Sequence, residues 1–178
     1  FIEGKGPRLS QIKCKKDLLK LRSVDSIHDT LQPIYKTVQM VSDQLNSETA
    51  LIGFAGAPWT VATYMIAGMG TKDQAPAHLM IREDKETFES LLGIITESTI
   101  EYLSEQVAAG AEVLKLFDSW AGSLTDPQFF NYSVKPIKKI ITELNKRYPN
   151  IPIIAFPREA REKYKGFAKV TGADCIAI

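Results

Sequence analysis

Val113-Leu114-Lys115-Leu116-Phe117 runs straight into Asp118-Ser119-Trp120-Ala121-Gly122, and the helix start Asp126-Pro127 follows within a few residues. A short apolar run that ends in a small, polar loop and leads into a helix reads as a buried strand entering its crossover. Asp suits the cap of such a helix and Pro its first turn. Counting by twos, Val113, Lys115, Phe117 and Ser119 share one face of the strand, and Leu114 and Leu116 the other.

The same unit recurs in both directions. Downstream, Phe130, Val134, Ile137, Ile141 and Leu144 fall on one helix face, residues 151–156 form a third strand, residues 159–171 a helix and residues 174–178 a fourth strand. Upstream, Phe88, Leu91, Leu92, Ile95, Leu103 and Val107 mark a helix over residues 85–109, stopped by Gly110. Residues 51–54 form the first strand, entering a tight loop with Gly53, Gly56 and Pro58. Ile27, Leu31, Ile34, Val38, Val41 and Leu45 give a helix over residues 26–45. The first 20 residues, with Gly4, Gly6, Pro7 and a basic stretch at Lys13–Lys16, form an irregular lead-in.

Strand and helix alternating at these spacings specify right-handed βαβ units and a parallel sheet, either doubly wound or closed as a (β/α)8 barrel. Neither GxGxxG nor GxxxxGK[ST] follows any strand, which removes the main reason to choose a nucleotide-binding open sheet. A full barrel takes roughly 250 residues. The expected fold is therefore α/β, a partial (β/α)8 TIM barrel with about half of the strands and helices, in a single domain over residues 1–178.

Composition narrows the function classes. With 44% apolar and 24% charged residues the 178-residue chain is expected to fold rather than stay disordered. A formal charge of +1 offers no electrostatic footprint for nucleic acid or an anionic membrane. No apolar run reaches the roughly 18 residues of a spanning helix and no secretory signal opens the chain. Two cysteines far apart, Cys14 and Cys175, and two histidines argue against a disulfide framework or a zinc site, so a cytoplasmic setting is expected. The chain opens at Phe1 and stops inside the apolar residues 175–178, which reads as a piece of a longer protein.

Barrel ligands gather in loops at the C-terminal ends of the strands. Three loops qualify: residues 55–70, 118–126 and 157–161. The first carries Trp59, Tyr64 and Met65 between glycines, suited to a flat ligand; more simply, the aromatics plug the mouth. In the second, Lys115 and Ser119 point into the barrel if the leucines face the helices, and an interior lysine calls for a carboxylate partner or attracts an anion. Ser119 has no nucleophile-elbow pattern. In the third, Arg158 has carboxylate-binding geometry, or forms a surface ion pair with Glu159 or Glu162. His28 on the polar side of its helix, His78 in a loop-to-helix junction, and Lys135, Lys138 and Lys139 read as surface residues.

Two segments carry a more specific signal: Leu51-Ile-Gly-Phe-Ala-Gly-Ala-Pro-Trp-Thr-Val-Ala-Thr-Tyr-Met-Ile66 and Gln106-Val-Ala-Ala-Gly-Ala-Glu-Val-Leu-Lys-Leu-Phe-Asp-Ser-Trp-Ala-Gly122. Both closely resemble signature segments of the uroporphyrinogen decarboxylase family, and residues 1–7 and 153–158 fit in order and spacing. The resemblance implies a homodimeric, cytoplasmic barrel enzyme of haem biosynthesis that uses neither metal nor organic cofactor. Such an enzyme turns the four acetate arms of uroporphyrinogen III into methyls, giving coproporphyrinogen III. It implies substrate contacts for Tyr64 and Ser119, whose hydroxyls donate to carboxylates without adding charge. The family's arginine-rich segment, central aspartate and late histidine fall outside residues 1–178, so no catalytic residue is expected in this chain and the chain alone is expected to be inactive. Departures from the pattern are Ala67 for Glu, Glu159 for Gly and Lys115 for Gln. The alternatives are a non-catalytic tetrapyrrole-binding relative and a barrel methyltransferase of the same superfamily, for whose zinc site Cys14 and Cys175 are poorly placed.

Overall fold

A computed structural model describes residues 8–178; the lead-in glycines, Pro7 and the family-like segment 1–7 lie outside the described residues. Four strands, β1 (Ile52–Gly56), β2 (Val113–Asp118), β3 (Ile153–Pro157) and β4 (Cys175–Ile176), form one parallel sheet in the order β1-β2-β3-β4. Strand order that follows chain order, with right-handed crossovers, puts every crossover helix on the same side. That is barrel winding: a doubly wound sheet must reverse its order partway. The fold is a partial (β/α)8 barrel.

The α-helices among the described residues are α1 (Lys15–Leu18), α2 (Ile27–Ser42), α3 (Pro58–Ala67), α4 (Ala75–Glu83), α5 (Lys85–Ala108), α6 (Asp126–Phe129), α7 (Lys135–Arg147) and α8 (Phe167–Thr171). The core lies between them and the sheet face carrying Ala55, Leu114, Leu116, Ile153 and Ala155, all buried. The long α5 lies beside α7, each burying the apolar stripe its sequence shows. Gly110 ends α5 at φ 108, where its missing Cβ leaves room for Ser42 at the end of α2. Gln106 on α5 accepts from the Phe54 N–H and donates to the Phe54 C=O, both at 3.0 Å, so a side chain satisfies that rung of β1.

Four local expectations are corrected. Residues 55–70 are not one loop: β1 runs to Gly56 and α3 takes up Pro58–Ala67, with Pro58 in its first turn and Gly68 closing it at φ 75. Residues 159–171 are not one helix. Glu159 and Arg161 sit at φ 58 and 51 and Gly166 at φ 77, leaving a 3-10 turn at Arg161–Tyr164 and the short α8. His78 sits inside α4, its ring 5.3 Å from that of Trp59, where burial lowers its pKa.

The fourth correction concerns the helix after β2. It starts one residue earlier than expected, with Thr125 as its cap and Gln128 reaching back to accept from the Thr125 N–H (3.1 Å). Between α6 and α7 the chain makes a π turn, Phe130–Val134. One extra residue per turn shifts the inward position from Phe130 to Phe129. Phe129 is buried against Phe167, ring centroids 5.7 Å apart, while Phe130 is half exposed beneath Lys135.

Candidate functional site at the C-terminal ends of the strands

Asp118 closes β2 on the helix side and is fully buried. Its carboxylate accepts from the Thr60 hydroxyl (2.8 Å) on α3 and the Ser133 hydroxyl (2.6 Å) in the π turn. Burial raises its pKa from 3.8 to about 6, against the opposing pull of the two hydroxyl donors. Three elements thus meet on one carboxyl group. The residues around Asp118 extend the network. The Trp59 indole donates to the Trp120 C=O (3.0 Å), the Ala57 N–H to the Phe117 C=O (2.8 Å) and the Trp120 N–H to Thr60 Oγ1 (3.4 Å). Trp59 is fully buried in the helix-side core, packed edge-on to Phe88, and offers no face to a ligand.

Tyr64 and Ser119 are both half-buried. Thr60 and Tyr64 are four residues apart on α3 and so share a helix face, and Thr60 bonds the residues on either side of Ser119. The first turn of α3 therefore lies against the Ser119 segment. The Tyr64 hydroxyl overhangs Gly70, where an added Cβ would lie 3.4 Å from it.

The sheet face opposite the helices is more open. Ile52 and Phe54 are exposed, and Val113, Lys115, Phe117, Ile154 and Phe156 half-buried, which bears out the alternation counted from the sequence. Phe117 meets Phe54 and Phe156 edge to face, at 5.9 Å in each case. Among the described residues no carboxylate lies within salt-bridge distance of Lys115. Its ammonium instead lies 4.7 Å from the Phe117 ring centroid and 5.5 Å from that of Phe156.

The loops after β2 and β3 are stitched together. The Arg158 N–H donates to the Asp118 C=O (3.1 Å), and the Gly122 N–H to the Arg158 C=O (3.0 Å). Any side chain at Gly122 would run into Glu159, its Cβ meeting the Glu159 backbone oxygen at 2.8 Å. Arg158 makes the surface ion pair with Glu159, 3.3 Å and largely exposed. His28 Nδ1 lies 3.3 Å from the Tyr35 hydroxyl. Lys139 pairs with Glu97 and Lys135 with Asn131, as befits a solvated helix face. Cys14 and Cys175 are both exposed free thiols. Among the described residues no three His, Cys, Asp or Glu side chains are grouped as a metal would require, and no helix is long and apolar enough to cross a membrane.

The sequence reading passed over Asp118 as a buried strut and Ser133 as its partner. An Asp closing an apolar strand was the available signal; Ser133 gave none, because the π turn that brings it inward has no sequence pattern of its own.

Comparison with known proteins gives this arrangement its context. The chain is similar over all its residues to proteins named uroporphyrinogen decarboxylase: 60% identical to that of Jannaschia sp., 56% to that of Paracoccus denitrificans and 57% to that of Roseobacter denitrificans. It spans about half the length of each, 52%. A methyltransferase structure from Methanosarcina mazei superposes with a TM-score of 0.59 at 18% identity, covering 84% of this chain and 50% of that one, a likeness of fold alone. The family description "Uroporphyrinogen decarboxylase (URO-D)" matches residues 1–178, and the chain belongs to the uroporphyrinogen decarboxylase family.

Proposed function

We propose that residues 1–178 are one partial-barrel domain of a uroporphyrinogen decarboxylase, a carboxy-lyase that converts uroporphyrinogen III to coproporphyrinogen III in haem biosynthesis. One observation carries the reading: the match along all 178 residues of this chain, at up to 60% identity among the relatives above, to proteins of that name. The open sheet face suits the substrate's shape, since Phe54, Phe117 and Phe156 offer apolar contact to a flat macrocycle.

In this reading, protonation of a pyrrole ring carbon makes the ring an electron sink. The bond from the acetate methylene to its carboxylate breaks, CO2 leaves, and the electron pair flows into the ring to give an exocyclic methylene; a second proton on that methylene completes the methyl group, and the ring carbon then releases the first proton to restore the pyrrole. The protein's task is to hold an octa-anion and stabilise the pyrrole cation with fixed dipoles and charges. Tyr64 and Ser119 serve as hydroxyl donors to substrate carboxylates, and Asp118 holds β2, α3 and the π turn in register behind them. The proton-handling and charge-stabilising groups are assigned outside residues 1–178, with no metal or organic cofactor required. The working enzyme is proposed to be a cytoplasmic homodimer that engages neither nucleic acid nor membrane.

The test is CO2 release from uroporphyrinogen by the full-length protein and by residues 1–178 alone. Release by the first and none by the second is expected. Turnover by residues 1–178 alone would put the catalytic groups inside this chain and overturn the assignment. Absence of turnover in the full-length protein with retained porphyrin binding would favour the non-catalytic relative.

A further inference from the structure

We infer that Lys115 is a carboxylate-binding residue of the site, fixing one acidic arm of the macrocycle from the floor of the open sheet face; this rests on the decarboxylase reading above. Lys115 stands in register with Phe54 on one side and Ile154 on the other. Its ammonium is displaced toward the C-terminal end of β2. It lies against the rings of Phe117 and Phe156, which are themselves a register pair two residues further along. That is the direction of Ser119 and the strand ends, where barrel ligands sit.

A lysine on a half-buried surface needs something to offset lost hydration. Where the other well-placed bases pair with acids, such as Arg147 with Glu101 at 2.7 Å, Lys115 has only ring faces among the described residues. Ring faces steady a cation without neutralising it, so the charge stays available to an incoming anion. Flanking aromatics and, on the same face, one cation with no acid partner among the described residues match a flat polycarboxylate. Lys115 is thus a binding residue with no part in the proton transfers.

The experiment compares Lys115→Gln and Lys115→Arg with the parent in the full-length protein. Loss of one charge-assisted contact predicts a KM for uroporphyrinogen raised about tenfold in Lys115→Gln, with kcat changed less than about threefold. The increase should shrink in high salt, and Lys115→Arg should restore most of it. Uroporphyrin, the stable oxidised octacarboxylate, gives a second readout by fluorescence titration and separates the two readings. If the parent binds it and Lys115→Gln binds it about tenfold more weakly, the lysine's role stands even where turnover fails. Unchanged KM and binding overturn it. So does a lowered urea midpoint with unchanged KM, which would mark a structural ion pair, and so does failure of the parent to bind at all.

Discussion

Replacing Asp118 by Asn tests whether the buried carboxyl carries a proton in the folded protein. The shape is kept: Asn can accept from Thr60 through its carbonyl and turn its amide toward Ser133, while the titratable group is lost. In the unfolded chain Asp118 titrates near 3.8, and in the folded protein near 6. Between those values the folded state binds the extra proton, so its contribution to stability falls as pH rises and levels off above about pH 7. The displacement corresponds to about 3 kcal/mol. The lowered carboxyls, such as Asp84 bonded to Thr87 and Glu101 to Arg147, act in the opposite sense and lower in pH, and they cancel between the two proteins. Urea unfolding of both proteins at pH 4.0 and 7.5, followed by the fluorescence of buried tryptophan, measures the difference. Asp118→Asn is expected to lose about 1 kcal/mol relative to the parent at pH 4.0 and to gain on it by about 2.4 kcal/mol on moving to pH 7.5, the part of the displacement that falls inside this window. A difference that is the same at both pH values would refute the reasoning, showing that Thr60 and Ser133 are enough to keep the carboxylate charged.

Two further predictions concern backbone geometry. Glu159→Gly should raise stability by about 0.5–1 kcal/mol in thermal unfolding, because φ 58 costs an L-residue more than glycine's extra unfolded-state freedom does, and the exposed pair with Arg158 counts for little. Gly122→Ala should instead cost about 2 kcal/mol, since its Cβ meets backbone as well as side chain of Glu159. The π turn predicts a sharp contrast between neighbours: Phe129→Ala should lose about 3–5 kcal/mol and Phe130→Ala under about 1 kcal/mol, and equal losses would place the register the other way.

The sequence revealed elements wherever one side of an element is apolar and the other is not. The helix Lys135–Arg147 and the strand over residues 113–117 were readable on that ground, and the alternation through Leu114 and Leu116 located Lys115 on the face opposite the helices. The helix Pro58–Ala67 was hidden because Val61, Tyr64 and Met65, half-buried between the buried Trp59, Ala62, Thr63, Ile66 and Ala67, make its other side apolar as well, which blurs the stripe. Its Pro start and Gly stop were the remaining signs. The inward set of the next helix failed at one residue, Phe130, because a spacing rule of three and four cannot anticipate a turn of five. Residues 159–171 read as helix because nothing in Glu159 or Arg161 announces a left-handed backbone. The surroundings of Lys115 are not legible for another reason: they depend on how β2 pairs with β3, which sets the ring of Phe156 beside that of Phe117 against its ammonium.

The stitching of the loops after β2 and β3 bears on how substrate gets in and out. Because Arg158 both donates to Asp118 and accepts from Gly122, neither loop can swing without breaking main-chain bonds that its neighbour needs. The Gly122–Glu159 contact leaves no slack for sliding either. These two loops form a fixed sill. Gating motions on the microsecond-to-millisecond scale must then come from other parts of the rim, and slow product release would not be cured by loosening Arg158. Amide exchange at Gly122 and Arg158 should accordingly follow opening of the whole sheet rather than local fluctuation.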